Sequence, residues 1–127
     1  AAALAHRIGL LGDGYEAVAR ARAPQSAPEA LWQTIAIGAP LDRPPRGQPG
    51  AAVHAAFDGL PPPARLMDLA EEDRLGEAIL RAIALLDAGA DGDPAAITEA
   101  LAFFRAIGLE DTARRAGLQI LLLDRRR

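Results

Sequence analysis

Apolar residues return at helical spacing along much of this chain, most clearly between Asp73 and Asp124. Leu75, Ile79, Ile83 and Leu86 recur every three or four positions, Leu80 and Ala82 widen the stripe, and Glu77 and Arg81 fall away from it. Side chains about 3.6 residues apart share a helical face, so this spacing predicts a helix with that stripe turned inward. Gly89 is expected to end it in the left-handed conformation, with Asp93 and Pro94 supplying the N-cap oxygen and the N1 proline of the next helix. In that next segment Ile97, Ala100, Leu101, Phe104 and Ile107 form the stripe. Gly108 stops it, and Leu109 folds back as the apolar residue of a Schellman-type end. A third helix follows, with Glu110 and Asp111 in its first turn and Arg125, Arg126 and Arg127 past its far end, each matched to the pole of the helix dipole it meets. Its inward stripe is expected to be Ala113, Ala116, Gly117, Ile120 and Leu121. Leu118 and Leu122 sit toward the edge, and Leu123 widens it. Connections this short predict neighbouring antiparallel helices.

The rest of the chain is more broken. Residues 1–9 read as the end of a helix that Gly12 can close, and Asp13 with Glu16 has the spacing of a capping box for a short helix through Val18 and Ala21. Ser26 with Glu29 repeats the box ahead of Leu31, Trp32 and Ile35, where Trp32 is expected to anchor the core. Residues 38–50, GAPLDRPPRGQPG, hold four prolines and three glycines and can sustain neither helix nor central strand. A helix over 51–57 is predicted next. Another begins at Pro63 and carries Leu66, Met67 and Leu69, breaking or kinking near 71–73. The expected organisation is one all-α domain over 1–127, with the 38–50 loop between N-terminal helices (1–37) and C-terminal hairpins (51–124). Its architecture is expected to be antiparallel hairpins stacked as a short right-handed α-solenoid, or an irregular bundle of about seven or eight helices. Helical character from the first residue, without an initiator methionine, points to a piece of a longer polypeptide.

Composition supports helices. Half of the 127 residues are hydrophobic but only 4% are aromatic, and a core of Leu, Ile and Ala suits close-packed helices better than a sheet. A formal net charge of −3 and a pI near 5.3 provide no field for a phosphate backbone, so nucleic-acid binding is not expected. All 14 basic residues are arginine, a bias that fits a high-GC bacterial genome and removes lysine chemistry. Cysteine is absent, which removes disulfides and thiolate ligands and leaves the compartment open between cytoplasm, which is favoured, and periplasm. No apolar run approaches a membrane span, and no membrane insertion is expected.

Two features suggest repetition. ALAHRIGL at 3–10 is similar to ALAFFRAIGL at 100–109, and each is followed by acidic residues and a helix. Leu11-Gly12 with Tyr15 matches the L-G-x-x-Y part of the first tetratricopeptide helix, so the hairpins resemble a tetratricopeptide-like or related α-solenoid protein. Pro24 departs from that pattern, since a small residue belongs there inside the second helix, and no 34-residue period runs through the chain. The resemblance implies a protein-binding scaffold, with no ligand residues to carry over.

Candidate chemistry is sparse. His54 and Asp58 have the i,i+4 spacing of a metal or proton-transfer pair but lack a third ligand, and a surface histidine with a local hydrogen bond is the plainer expectation. Asp87, Asp91 and Asp93 suggest calcium. However, Gly89 interrupts the acidic pattern and Thr98 stands where an EF-hand needs glutamate, so helix-end capping is expected of them. Glu71, Glu72 and Asp73 read as a solvated junction, and Ser26, the one serine, is used in a cap. No catalytic, cofactor or metal residues are assigned. The expected function is a non-enzymatic helical interaction module, and the alternative is a helical accessory domain of a larger bacterial enzyme. The partner would be another protein, a further domain of the same protein, or a second copy docking through the last helix. Contact would be made by Leu118, Leu122 and Leu123, or by the 38–50 segment.

Overall fold

The computed structural model describes residues 2–123, and within them the chain forms eight helices and no strand. They are α1 (Ala2–Leu10), α2 (Tyr15–Arg20), α3 (Ala27–Ile37), α4 (Gly50–Phe57), α5 (Ala64–Glu71), α6 (Leu75–Ala90), α7 (Pro94–Ala106) and α8 (Glu110–Leu122). Arg125 to Arg127, expected beyond the last helix, lie outside the described residues, as do Ala1 and Asp124. None of the described helices is long and apolar enough to cross a membrane.

Local chemistry sets several of these boundaries. The Ser26 hydroxyl accepts from the Glu29 amide at 3.2 Å and caps α3, while the Glu29 carboxylate turns away to pair with Arg22. At the end of α7, Gly108 takes φ +88° and two amides close the Schellman motif, Leu109 N–H to Phe104 O at 2.9 Å and Gly108 N–H to Arg105 O at 3.2 Å. The same motif ends α6, but through Gly92 at φ +125° and not through Gly89. At the end of α5 only the first of these bonds forms, Arg74 N–H to Leu69 O at 3.0 Å, and Asp73 takes the left-handed conformation at φ +60°, so the chain breaks at 71–73 and does not run on. The Asp13 box does not form: α2 starts at Tyr15, no side chain caps it, and Asp13 pairs with Arg115 on α8.

Elements α1, α2 and α3 pack in succession, as do α5, α6, α7 and α8, but α4 packs on α7, and α3 on α8. Pairing of helices so far apart in sequence makes this the irregular bundle of the two expected architectures, because a linear stack joins consecutive units. The buried centre has two clusters that share α7. Ile97 and Leu101 pack with Leu10, Ile35, Val53 and Leu118 on one side. On the other, Phe103 and Phe104 pack with Leu66, Ala78, Ala82 and Ala113. With apolar residues around most of its circumference, α7 is the central rod, as such a helix must be.

Two predicted faces are rotated. In α6 the buried positions are Ala78, Ala82 and Gly89, whereas Leu75, Leu80 and Ile83 are exposed and Ile79 and Leu86 half-buried. The cause is proximity: a β-carbon built on Gly89 would fall 2.3 Å from Ile97 Cγ1 and 3.2 Å from the Ile97 backbone nitrogen, so α7 approaches over the small residues. In α8 the inward face is Ala113, Gly117, Leu118, Leu121 and Leu122, while Ala116 and Ile120 are half-buried. Trp32 is likewise at the margin of the core, half-buried with the Arg7 guanidinium 5.7 Å from its ring centroid.

Helix ends without local caps are held by distant side chains. Arg7 Nη2 donates to Leu122 O at 2.9 Å, Gln33 Nε2 to Ala19 O at 3.2 Å and Arg105 Nη1 to Ala56 O at 3.1 Å, satisfying carbonyls that a helix terminus leaves open. The start of α8 is tied to α2 in the same way, through Tyr15 Oη, which donates to Asp111 Oδ1 at 2.6 Å. Burial of the ring, then the hydrogen bond and charge of Asp111, push the Tyr15 phenol up from 10.0 to about 12. A raised acid pKa adds stability that is fully present below the unfolded value near 10 and is lost as pH climbs through the folded one. Ultraviolet titration of this sole tyrosine should therefore show little phenolate at pH 10 to 11, and Asp111→Asn should bring the midpoint part of the way back. A midpoint at the ordinary value in the folded wild type would contradict the contact.

Candidate interaction groove

Because α6 turns its small residues to α7, its larger apolar side chains are left outside. Both α6 and α8 pack on α7. Between them runs a groove of about 670 Å³, with Ile83 and Leu86 from α6, Ile120 and Leu123 from α8, and Ala90 and Ala116 allowing a close approach. Ile83 is 46% exposed and Leu123 52%. Gln48 and Gln119 add neutral polar positions and Pro49 and Pro94 apolar ones, and among the described residues the only charged ones lining it are Asp87 and Asp91.

Of the three leucines expected to make contact, only Leu123 is available. Leu118 and Leu122 are 0% and 4% exposed and belong to the core shared with α3 and α4. A helix with apolar residues on more than one face does not announce which face its neighbours will take, and here α3 takes the Leu118 side. Ile83 and Leu86, assigned to the interior by their spacing, are the groove residues that sequence reasoning missed. A signal for them was present in the alternative small-residue register Ala78, Ala82, Gly89.

The acidic turn at 87–93 does not do what was expected of it. Asp93 occupies the N-cap position of α7 but makes no side-chain cap hydrogen bond. Asp87 is in the last turn of α6 and Asp91 at its C-cap, the negative pole of the helix, where a carboxylate costs a few tenths of a kcal/mol or more. Neither has an ion-pair partner among the described residues. No three His, Asp or Glu side chains of the described residues gather as a metal site.

His54 is also differently placed. It is 3% exposed, and its Nε2–H donates to the Asp42 carbonyl at 2.7 Å, so it pins the 38–50 loop instead of facing Asp58, which is exposed. That loop packs on the bundle through Leu41 and the Gln48 side chain, whose Oε1 accepts from the Ala52 amide at 3.0 Å. A second hollow of about 590 Å³ lies between the loop and α3, beside Trp32, His54, Arg43 and Arg46. Leu11 and Gly12 lie in the turn before α2 and Tyr15 opens that helix, whereas the tetratricopeptide resemblance would place all three within one helix. Compared with known proteins, the chain matches no family model, no curated protein and no solved structure.

Proposed function

We propose that this domain is a protein-interaction module whose contact surface is the groove between α6 and α8. The observation that supports the reading most is that Ile83 and Leu123 are exposed along one open apolar channel between two helices, whereas the other exposed large apolar side chains, Leu4, Ile8, Leu60, Leu75, Leu80 and Leu109, do not line it. Contiguous exposed apolar surface rimmed by polar groups is characteristic of interaction sites, and a channel between two helices is shaped for a third. The partner could equally be another domain of the same polypeptide, since the physics of the contact is identical.

Helical peptides selected from a display library on the folded protein test this. Bound peptide should slow amide exchange over 83–90 and 116–123, and binding should be lost in an Ile83→Glu/Leu123→Glu variant. Both side chains are about half exposed, so the double variant should keep its helicity and unfold within about 1 kcal/mol of wild type. Selected peptides that bind the variant undiminished, or that protect only other regions, would remove the groove from consideration. Light scattering of Leu123→Arg beside wild type separates docking of a second copy. Leu122→Arg cannot serve, because Leu122 is in the core.

A further inference from the structure

Resting on that reading, we infer the chemistry of the partner: an amphipathic helix whose apolar stripe fills the groove and whose flanking Arg or Lys residues meet Asp87 and Asp91. Neither carboxylate makes a contact that serves the fold among the described residues. They are four residues apart at the C-terminal end of α6, on one face, exposed, opposed by the helix dipole, and without a cap hydrogen bond or an ion pair among the described residues. A position that violates a local preference with no structural return is where function is expected to be found. Their place is also specific. Asp87 adjoins Leu86 and lies one turn beyond Ile83, so apolar contact and negative charge face the same channel.

Some acids of the other surfaces are paired: Glu77 is bridged by Arg74 and Arg81, Glu99 by Arg65, and Glu110 by Arg105 and Arg114. Exposed Asp58, Asp68, Glu71, Asp73 and Asp93, like Asp87 and Asp91, have no ion pair among the described residues, so what sets Asp87 and Asp91 apart is their place beside the apolar channel. An occupant of the groove therefore meets a wall of aliphatic carbon and one negatively charged edge with no cation of the described lining beside it. Charge complementarity across an interface fixes register and rejects like-charged partners, while apolar anchors at i, i+3, i+4 and i+7 supply most of the attraction. A second copy of this chain is a poorer match. Apart from α6 and α8, which form the groove, the helix with the most exposed large apolar side chains is α1, with Leu4 and Ile8, but its Arg7 is engaged by Leu122 O and the Trp32 ring.

The test uses the full chain, with Arg125 to Arg127 in place, and three synthetic helices of about 18 residues that share one leucine stripe and carry Arg, Gln or Glu beside it. Fluorescence anisotropy at low and moderate salt gives affinities, and amide exchange locates binding. The Arg helix should bind about tenfold more tightly than the Gln helix and protect 83–90 and 116–123, with the margin shrinking as salt is raised. In Asp87→Arg/Asp91→Arg the order should reverse in favour of the Glu helix. Equal binding of all three helices in the groove would overturn the charge assignment and leave the interaction surface standing. Binding of none, or protection elsewhere, would remove both. A concentration-dependent dimer that protects 83–90 without peptide would make the occupant a second copy and overturn the inference.

Discussion

Phe103→Ala should lower the unfolding free energy by about 3–5 kcal/mol, the range for removing a buried aromatic ring. Phe103 is 0% exposed on the central helix, its ring 6.1 Å from that of Phe104, with Ala78, Ala82, Ala100 and Ala113 among the buried residues of the same cluster. Alanine neighbours have no side chain to swing into the space, so the cavity should persist and the loss should fall toward the upper end. Against a typical stability of about 5–15 kcal/mol, such a loss would bring a domain of this size close to unfolding at moderate temperature. Urea unfolding followed by far-ultraviolet circular dichroism measures it. Phe103→Leu, which refills most of the volume, should recover more than half. A loss below about 1 kcal/mol for the alanine variant would mean that α7 is not the centre of this molecule.

The second large effect is expected from adding volume. Gly89→Val should destabilise by about 2–3 kcal/mol, even though glycine inside a helix is ordinarily replaced at a gain of up to about 1 kcal/mol. The β-carbon would meet a branched, buried Ile97 side chain and the backbone nitrogen behind it, neither able to retreat without moving α7. Gly89→Ala should show the same conflict in weaker form. Paired with Ile97→Ala, which removes the obstructing atoms, the valine variant should cost less than the sum of the two single changes. Strict additivity would show that the two helices do not touch there.

These two sites also separate what the sequence made legible from what it did not. Ends set by a few neighbouring residues were readable: Ser26 ahead of α3, Gly108 with Leu109 after α7, Pro63 before α5. So were the all-α class and Ile97, Ala100, Leu101 and Phe104 as inward positions of α7. Phe103, buried as fully, lay outside the expected stripe because a helix surrounded by others buries more than one face, and Ile107, within that stripe, is half-buried. The orientation of α6 was not readable. Leu75, Ile79 and Ile83 make a better apolar stripe than Ala78, Ala82 and Gly89, but close approach favours the smaller set, and that depends on a neighbour about ten residues or more away in sequence. The α8 face was misassigned for a related reason, since its neighbour α3 comes from the opposite half of the chain. Asp13 and His54 bond to groups brought near only by the tertiary fold, Arg115 and the Asp42 carbonyl, and no local spacing announces them. The groove belongs to the same class, because it consists of what the chosen faces leave over.

The hydrogen bond from the Arg7 guanidinium to the Leu122 carbonyl ties the first described helix to the last. The last described turn of α8 is thereby anchored by a side chain from the other end of the sequence, so fraying there is coupled to α1.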